Sequence, residues 1–232
     1  TDGGWGRTSG LSLSCETDFA AKSDAFLTFT RAVLGGLPTS FPPAPSLSDP
    51  PITTACVTGD PALSKLWDEA VLTVRENMSV RNGFCVENSS KYYASYVHNK
   101  LSGEGGCAVG KAGAVVELSL KEPTGDDVAD GEKLDAVGRK LSMHVVASKP
   151  LYLSSSSVPF EALEEERSVF LAQMAEEEAA KGGKPKPDDI KEKIIMGKVK
   201  KWTKGVCLLE QEHVAEEGEV VGKVLEKEGI IC

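Results

Sequence analysis

An α+β fold is what this 232-residue sequence predicts. It should comprise two subdomains, each with a small antiparallel sheet and packed helices, the second carrying a protruding antiparallel helical hairpin. Three observations lead there. Residues 11 to 120 read strand, helix, helix, strand, strand; residues 160 to 204 hold two apolar-striped helices around a Gly-Lys-Pro turn; an acidic stretch separates the two halves. The domains expected are a tail over 1–10, an N-terminal core subdomain over 11–122 and a C-terminal core subdomain over 123–232, with the hairpin at about 160–204.

Taken in order, residues 11 to 15 alternate around Leu11 and Leu13 as a short strand. Residues 18 to 34 carry a helical stripe of Phe26, Phe29 and Val33, which Gly35-Gly36 should stop. Phe19 lies seven residues before Phe26, so periodicity alone assigns it to the same buried face, with Thr17 or Asp18 as N-cap. "PTSFPPAPSLSDPP" (38 to 51) holds six of the twelve prolines and reads as an inserted surface loop. A second helix over 62 to 78 places Leu63, Leu66, Trp67, Ala70, Val71 and Val74 on one side. "KYYASYV" (91 to 97) and "AVVELSL" (114 to 120), joined by a Gly-rich turn, suit an antiparallel pair.

"KEPTGDDVADGEK" (121 to 133) is expected as turn and linker, followed by a helix over 133 to 147. Two long helices, about 160 to 181 and 188 to 204, then flank "KGGKPKP" and should lie antiparallel. Glu164 to Glu166 and Glu176 to Glu178 form their solvated face.

Composition narrows the function classes. A net charge of −9 argues against nucleic acid or an anionic membrane surface as main partner, because both reward a basic face. No apolar run approaches the roughly 18 residues of a membrane span. The six cysteines are scattered without CxxC spacing, which disfavours a zinc ribbon; Cys15 and Cys207 read as small buried hydrophobes. The sequons at Asn77 and Asn88 read as chance. The chain opens at Thr1 without a signal-peptide pattern, the expectation being a processed protein or a fragment of a longer one. "GGCAVGKA" (105 to 112) nearly spells a phosphate-binding loop, but Ala112 replaces the magnesium-binding Ser or Thr, and a strand follows instead of a helix. It reads as a glycine turn. His98, His144 and His213 form no paired motif, and His144, near Leu141 and Val145, reads as a packing residue. Without a visible catalytic constellation or cofactor motif, the residues describe a binding protein rather than an enzyme.

"SLSCETDFAAKSDAF" (12 onward) resembles the signature of the elongation factor Ts family, in which a strand ends in Cys-x-Thr-Asp-Phe-Val-Ala and enters a helix. The likeness continues through "ENMSVRN" (76 to 82), "SYVHN" (95 to 99), "MHVVASKP" (143 to 150) and "GKPKPDDIKEKIIMGKVKKWTKGVCLLEQ" (183 to 211). Ala20 stands where the family has Val; the resemblance leads us to expect a chain without the family's small N-terminal helical domain and with the final strand of its second subdomain cut off after Gly229-Ile-Ile-Cys.

The resemblance implies a guanine-nucleotide exchange factor, without covalent chemistry, for elongation factor Tu. It implies that Thr17, Asp18 and Phe19 meet the partner, that Phe19 wedges between helices of its GTP-binding domain, and that His98 presses on the same domain. Val74 matches a further hydrophobic contact. No cofactor, nucleic acid or membrane insertion is implied. The start and insertions suggest an organellar protein, of mitochondrion or chloroplast, with bacterial cytoplasm as the alternative; a structural subunit of a larger organellar complex is the competing function.

Overall fold

A computed structural model of the chain describes residues 3–44, 47, 51–102, 107–181 and 187–232. They fall into two compact units, Thr1–Val146 with Gly229–Cys232, and Ala147–Glu228. The expected class, α+β, is what the structure has.

The first unit holds four antiparallel strands in the order β1 (Gly4–Ser14), β2 (Ser79–Ser102), β3 (Val109–Leu120) and β4 (Ile230–Ile231). β2 serves two partners in turn. Its first half pairs with β1, from Ser14↔Ser79 to Gly4↔Tyr93, and its second half with β3, from Tyr92↔Leu118 to Ser102↔Val109. The antiparallel pairing expected for "KYYASYV" and "AVVELSL" is therefore present. Gly110, part of the phosphate-loop look-alike, lies in β3, where an added Cβ would come within 2.6 Å of the His98 carbonyl oxygen. Its lack of a side chain serves close strand approach; Gly105 and Gly106 lie outside the described residues.

Helices α1 (Asp24–Ser40), α2 (Thr54–Gly59) and α3 (Leu63–Val74) build the core beside β1 and the start of β2. Phe26, Phe29, Val33 and Leu37 of α1 meet Val57, Leu63, Trp67, Ala70, Met78 and Val80 in one cluster. Phe29 and Trp67 sit edge to face, ring centroids 5.7 Å apart, a geometry that aromatic quadrupoles favour. Each such side chain contributes about 1.5–3 kcal/mol by leaving water.

Gly35-Gly36 does not stop α1, which continues through both and through Pro38 to Ser40. Leu37 is fully buried, and an added Cβ at Gly36 would come within 2.7 Å of Leu63. Burial of Leu37 and close approach of α3 thus outweigh weak local propensity. Within the proline stretch, Ala44 bonds to Cys85 and Glu87 of β2, while Pro45, Ser46, Ser48, Asp49 and Pro50 lie outside the described residues.

The stretch expected as a linker instead starts α4 (Asp127–Ser148). Asp126 Oδ1 accepts from the Val128 and Ala129 amides at 3.0 and 3.3 Å, so it acts as N-cap. Buried Asp130 accepts from the Thr124 amide and hydroxyl at 3.0 and 2.7 Å. The acidic run is a capping device, favoured further by the helix dipole. α4 packs on the sheet: Ser142 Oγ donates to the Ala94 carbonyl at 3.2 Å, and a Cβ on Gly138 would strike Ala94 and Leu118. The compact units consequently divide after residue 146, whereas the division expected at 122/123 falls inside the first unit. His144 is fully buried, a packing residue as its neighbours suggested.

The second unit contains α5 (Phe160–Lys181), α6 (Asp188–Val206) and α7 (Val221–Lys227). α5 and α6 are antiparallel as expected: Lys198 lies over the Phe170 ring, Lys191 pairs with Glu178 at 3.1 Å, and Arg167 donates to both oxygens of Glu192 at 2.9 and 2.8 Å. The second sheet does not materialise among the described residues. Among its described residues this unit has isolated bridges, Tyr152↔Cys207 and Glu212↔Val220, while Ile230–Ile231 pairs with β3 in the first unit. Cys207 is fully buried, as its apolar neighbours suggested.

Two glycines give opposite expectations. Gly138→Ala should destabilise by roughly 1–3 kcal/mol through overpacking against Ala94 and Leu118. Gly197→Ala, where an added Cβ meets nothing, should stabilise by about 0.5–1 kcal/mol through helix propensity. Urea denaturation of the two variants checks both signs.

Candidate functional site

β1 ends at Ser14, whose hydroxyl shares a 2.8 Å hydrogen bond with Ser79 Oγ and accepts another from Arg81 Nε at 3.1 Å. Nine residues then cross from the strand to α1. The helix expected from residue 18 starts at Asp24, where Ser23, extended at φ −68° and ψ 145°, caps it by accepting from the Phe26 amide at 3.3 Å. Before it, Ala20–Lys22 form a single 3-10 turn with no buried residue. Thr17 caps that turn, its Oγ1 accepting from the Ala20 amide at 3.2 Å and its carbonyl accepting from the Ala21 amide at 3.2 Å.

This break decides the fate of Phe19. The extended Ser23 interrupts the 100° per residue progression that placed Phe19 above Phe26, so the seven-residue spacing loses its meaning. Phe26 is 5% exposed and Phe19 is 84% exposed. The periodicity reading of Phe19 as core is therefore incorrect. Asp18 beside it is exposed and bonded to Lys22 at 3.1 Å. That hydrogen bond holds the Asp18 carboxyl below its ordinary pKa, with the Lys22 charge and then Lys111 of β3 acting in the same direction. So exposed a pair adds little stability, but it gives the turn a defined charged face.

Glu76 ties this turn to the rest of the unit. α3 ends at Arg75 in the left-handed conformation, φ 58°, with its amide donating to the Val71 carbonyl at 3.0 Å. That reversal delivers Glu76 to the strand end, where its carboxylate accepts from the Thr17 amide at 2.9 Å and the Thr17 hydroxyl at 2.6 Å. The Thr17 hydroxyl bond is the main cause that holds the Glu76 carboxyl below its ordinary pKa. Sequence reasoning assigned Glu76 no role. Its signal was an acid placed just past a helix end and three residues before a strand.

Val74 is half-buried and packs against the core cluster, while Leu72, outside the expected apolar stripe, stands 76% exposed on α3. His98 is exposed near the end of β2, its Nδ1 3.1 Å from the Tyr96 hydroxyl. No hydrogen bond or ring contact joins His98 to Phe19 among the described residues. The nearest link is electrostatic: Lys111, which acts on Asp18, precedes Ala112, the cross-strand partner of His98. Cys15, expected as buried, is half-buried, and its thiol donates to the Thr17 carbonyl at 3.3 Å. Thr17, Asp18 and Phe19 thus share one exposed turn, and Val74 and His98 reach the surface from other elements.

The profile of the family described as Elongation factor TS matches residues 16–231. This chain belongs to the elongation factor Ts family. It is 32% identical over 219 residues to the elongation factor Ts of Paramagnetospirillum magneticum, covering 94% of this chain and 63% of that protein. It is 35% identical over 211 residues to that of Rhizobium meliloti, covering 91% and 62%, and 35% identical over 220 residues to that of Magnetococcus marinus, covering 93% and 63%. The chain spans under two thirds of the length of these relatives, all bacterial elongation factor Ts proteins.

Protonating Glu76 removes the negative charge that strengthens the two Thr17 bonds and turns one of the two acceptor oxygens into a hydroxyl. Since its carboxyl is held below the ordinary value in the folded state, the clasp contributes stability above the unfolded-state pKa and loses it as pH falls through the folded one. An NMR titration of the Glu76 side chain should show a midpoint below that of ordinary glutamate. Thr17→Val should move it back upward; a midpoint unaffected by that substitution would contradict the assigned cause.

Proposed function

We propose that this chain is a guanine-nucleotide exchange factor that binds elongation factor Tu and promotes GDP release during translation elongation. The single observation that carries the reading is Phe19, an aromatic 84% exposed on a turn with no buried residue. In the elongation factor Ts resemblance this Phe is the wedge inserted between helices of the partner's GTP-binding domain. Asp18 flanks it, Thr17 shapes the turn, and His98 presses on the same domain from β2. Val74, at the end of α3, offers the part of its side chain that the core leaves uncovered.

No covalent step is required. GDP leaves its carrier slowly because magnesium and phosphate contacts stabilise the bound state. A factor that binds the nucleotide-free carrier more tightly weakens nucleotide binding by the same coupling free energy. An aromatic suits the task, combining a large rigid contact area with only two side-chain torsions to immobilise. Its exposure before binding means that its apolar area remains available to the partner.

The organellar compartment expected from sequence finds no support in the three relatives named above, whose bacterial origin fits the alternative, bacterial cytoplasm. No observation favours a larger organellar assembly.

Phe19→Ala separates the two roles that sequence allowed. As a wedge, its truncation should leave the melting temperature nearly unchanged. It should slow release of fluorescent GDP from elongation factor Tu tenfold or more, since hot-spot aromatics contribute about 2 kcal/mol or more. As a core residue it would cost roughly 3–5 kcal/mol of stability. Unimpaired exchange by the folded variant would sink the wedge.

A further inference from the structure

We propose that Glu76 is a positioning residue for exchange, its carboxylate clasp on Thr17 holding the Asp18-Phe19 turn in the partner-competent conformation; this rests on the exchange reading above. The need for such a device follows from where the turn lies. Cys15 and Ala21, both half-buried, pack against the core cluster, but Glu16 to Phe19 between them are exposed, so apolar packing holds the two ends of this segment and not the stretch that carries Asp18 and Phe19. Its remaining hydrogen bonds are local: Cys15 to Thr17, Ala20 and Ala21 to Thr17, Lys22 to Phe19 and to Asp18, Ser23 to Ala20, with Ser23 in turn accepting from the Phe26 and Leu27 amides of α1. They shape the turn and join its far end to α1 without fixing Thr17 to another element. Among the described residues, Glu76 is the one side chain outside the segment that hydrogen-bonds to it, gripping both the amide and the hydroxyl of Thr17.

Those two bonds have the character of a hinge lock. Both are charge-assisted, and two bonds to one carboxylate fix direction as well as distance. Thr17 in turn receives the Ala20 amide on the same oxygen that donates to Glu76, so the clasp and the cap of the 3-10 turn share one atom. Losing the carboxylate frees Thr17 to rotate away from Ala20 as well. Phe19 lies between Thr17 and Ala20 and inherits that freedom.

Glu76 is itself well anchored. It sits between Arg75, which closes α3 in a left-handed conformation, and Met78, which is buried in the core; Ser79 is already in register with Ser14. The position of the clasp is therefore set by the core rather than by the turn it holds.

A positioning role predicts a particular kinetic pattern. If only a fraction of unclasped molecules presents Phe19 correctly, apparent affinity falls by that fraction while the reaction of the bound complex is unchanged. Glu76→Ala in the whole 232-residue chain should raise the concentration giving half-maximal GDP release about tenfold, leaving the plateau rate within about twofold. Thr17→Val, which removes the hydroxyl and keeps the amide, should give a smaller shift of the same kind, and Glu76→Gln, which retains an acceptor oxygen, should recover part of the loss. In a Phe19→Ala background, Glu76→Ala should add little, because the positioned group is gone.

Amide hydrogen exchange gives a readout that needs no partner. The Thr17 and Ala20 amides should exchange about tenfold faster in Glu76→Ala, with α1 and the β1–β2 ladder unchanged. Unchanged protection at these amides, or an equal kinetic loss with and without Phe19, overturns the positioning role while leaving the exchange reading intact. A wild-type chain that does not accelerate GDP release overturns the exchange reading, and this role with it.

Discussion

The apolar stripe of α1 begins at Phe26, and that boundary governs everything ahead of it. From Phe26 to Leu37 the helix is committed to the cluster with Val57, Leu63 and Trp67. Ser23 starts the helix three residues earlier, and its extended backbone separates the stripe from the preceding turn. Between Ser14 and Ser23 only the small Cys15 and Ala21 reach the core cluster, and Glu16 to Phe19 stay exposed. That exposed stretch is organised by polar ties, and the aromatic placed in it faces solvent. The exposure of Phe19 is thus a consequence of how α1 is anchored.

The polar ties depend in turn on sheet register. Pairing of Ser14 with Ser79 brings the end of β1 beside the start of β2, and α3 delivers Glu76 to the same place. Two motifs separated by some sixty residues, Thr-Asp-Phe and Glu-Asn-Met-Ser, become one structural feature. Both lie within the span matched by the Elongation factor TS family, and the Glu76 carboxylate on Thr17 joins them.

Elements with strong, uninterrupted periodicity were legible in the sequence. α5 and α6 occupy nearly the residues their stripes indicated, and the β2–β3 pairing was signalled by two β-rich segments at hairpin spacing around a Gly-rich turn. Errors arose where tertiary packing overrides a local signal. Gly36 looked like a terminator but serves close approach to Leu63; the Asp-rich run looked like a linker but caps α4. The second sheet expected is represented among the described residues by isolated bridges, and Ile230–Ile231 pairs with β3, a long-range pairing that local pattern cannot reveal. Phe19 was misplaced by periodicity for a similar reason, since one extended residue resets the helical phase. Only the resemblance pointed to its exposure. Glu76 was hidden because a clasp between distant segments leaves no periodic trace.

The central claim is a thermodynamic coupling between this chain and guanine nucleotide on a shared partner. It is tested most directly by calorimetric affinity for elongation factor Tu, measured nucleotide-free and again with saturating GDP and magnesium. The account predicts tighter binding to the nucleotide-free form, by the same factor by which the chain weakens GDP binding. Equal affinity for the two forms would contradict it.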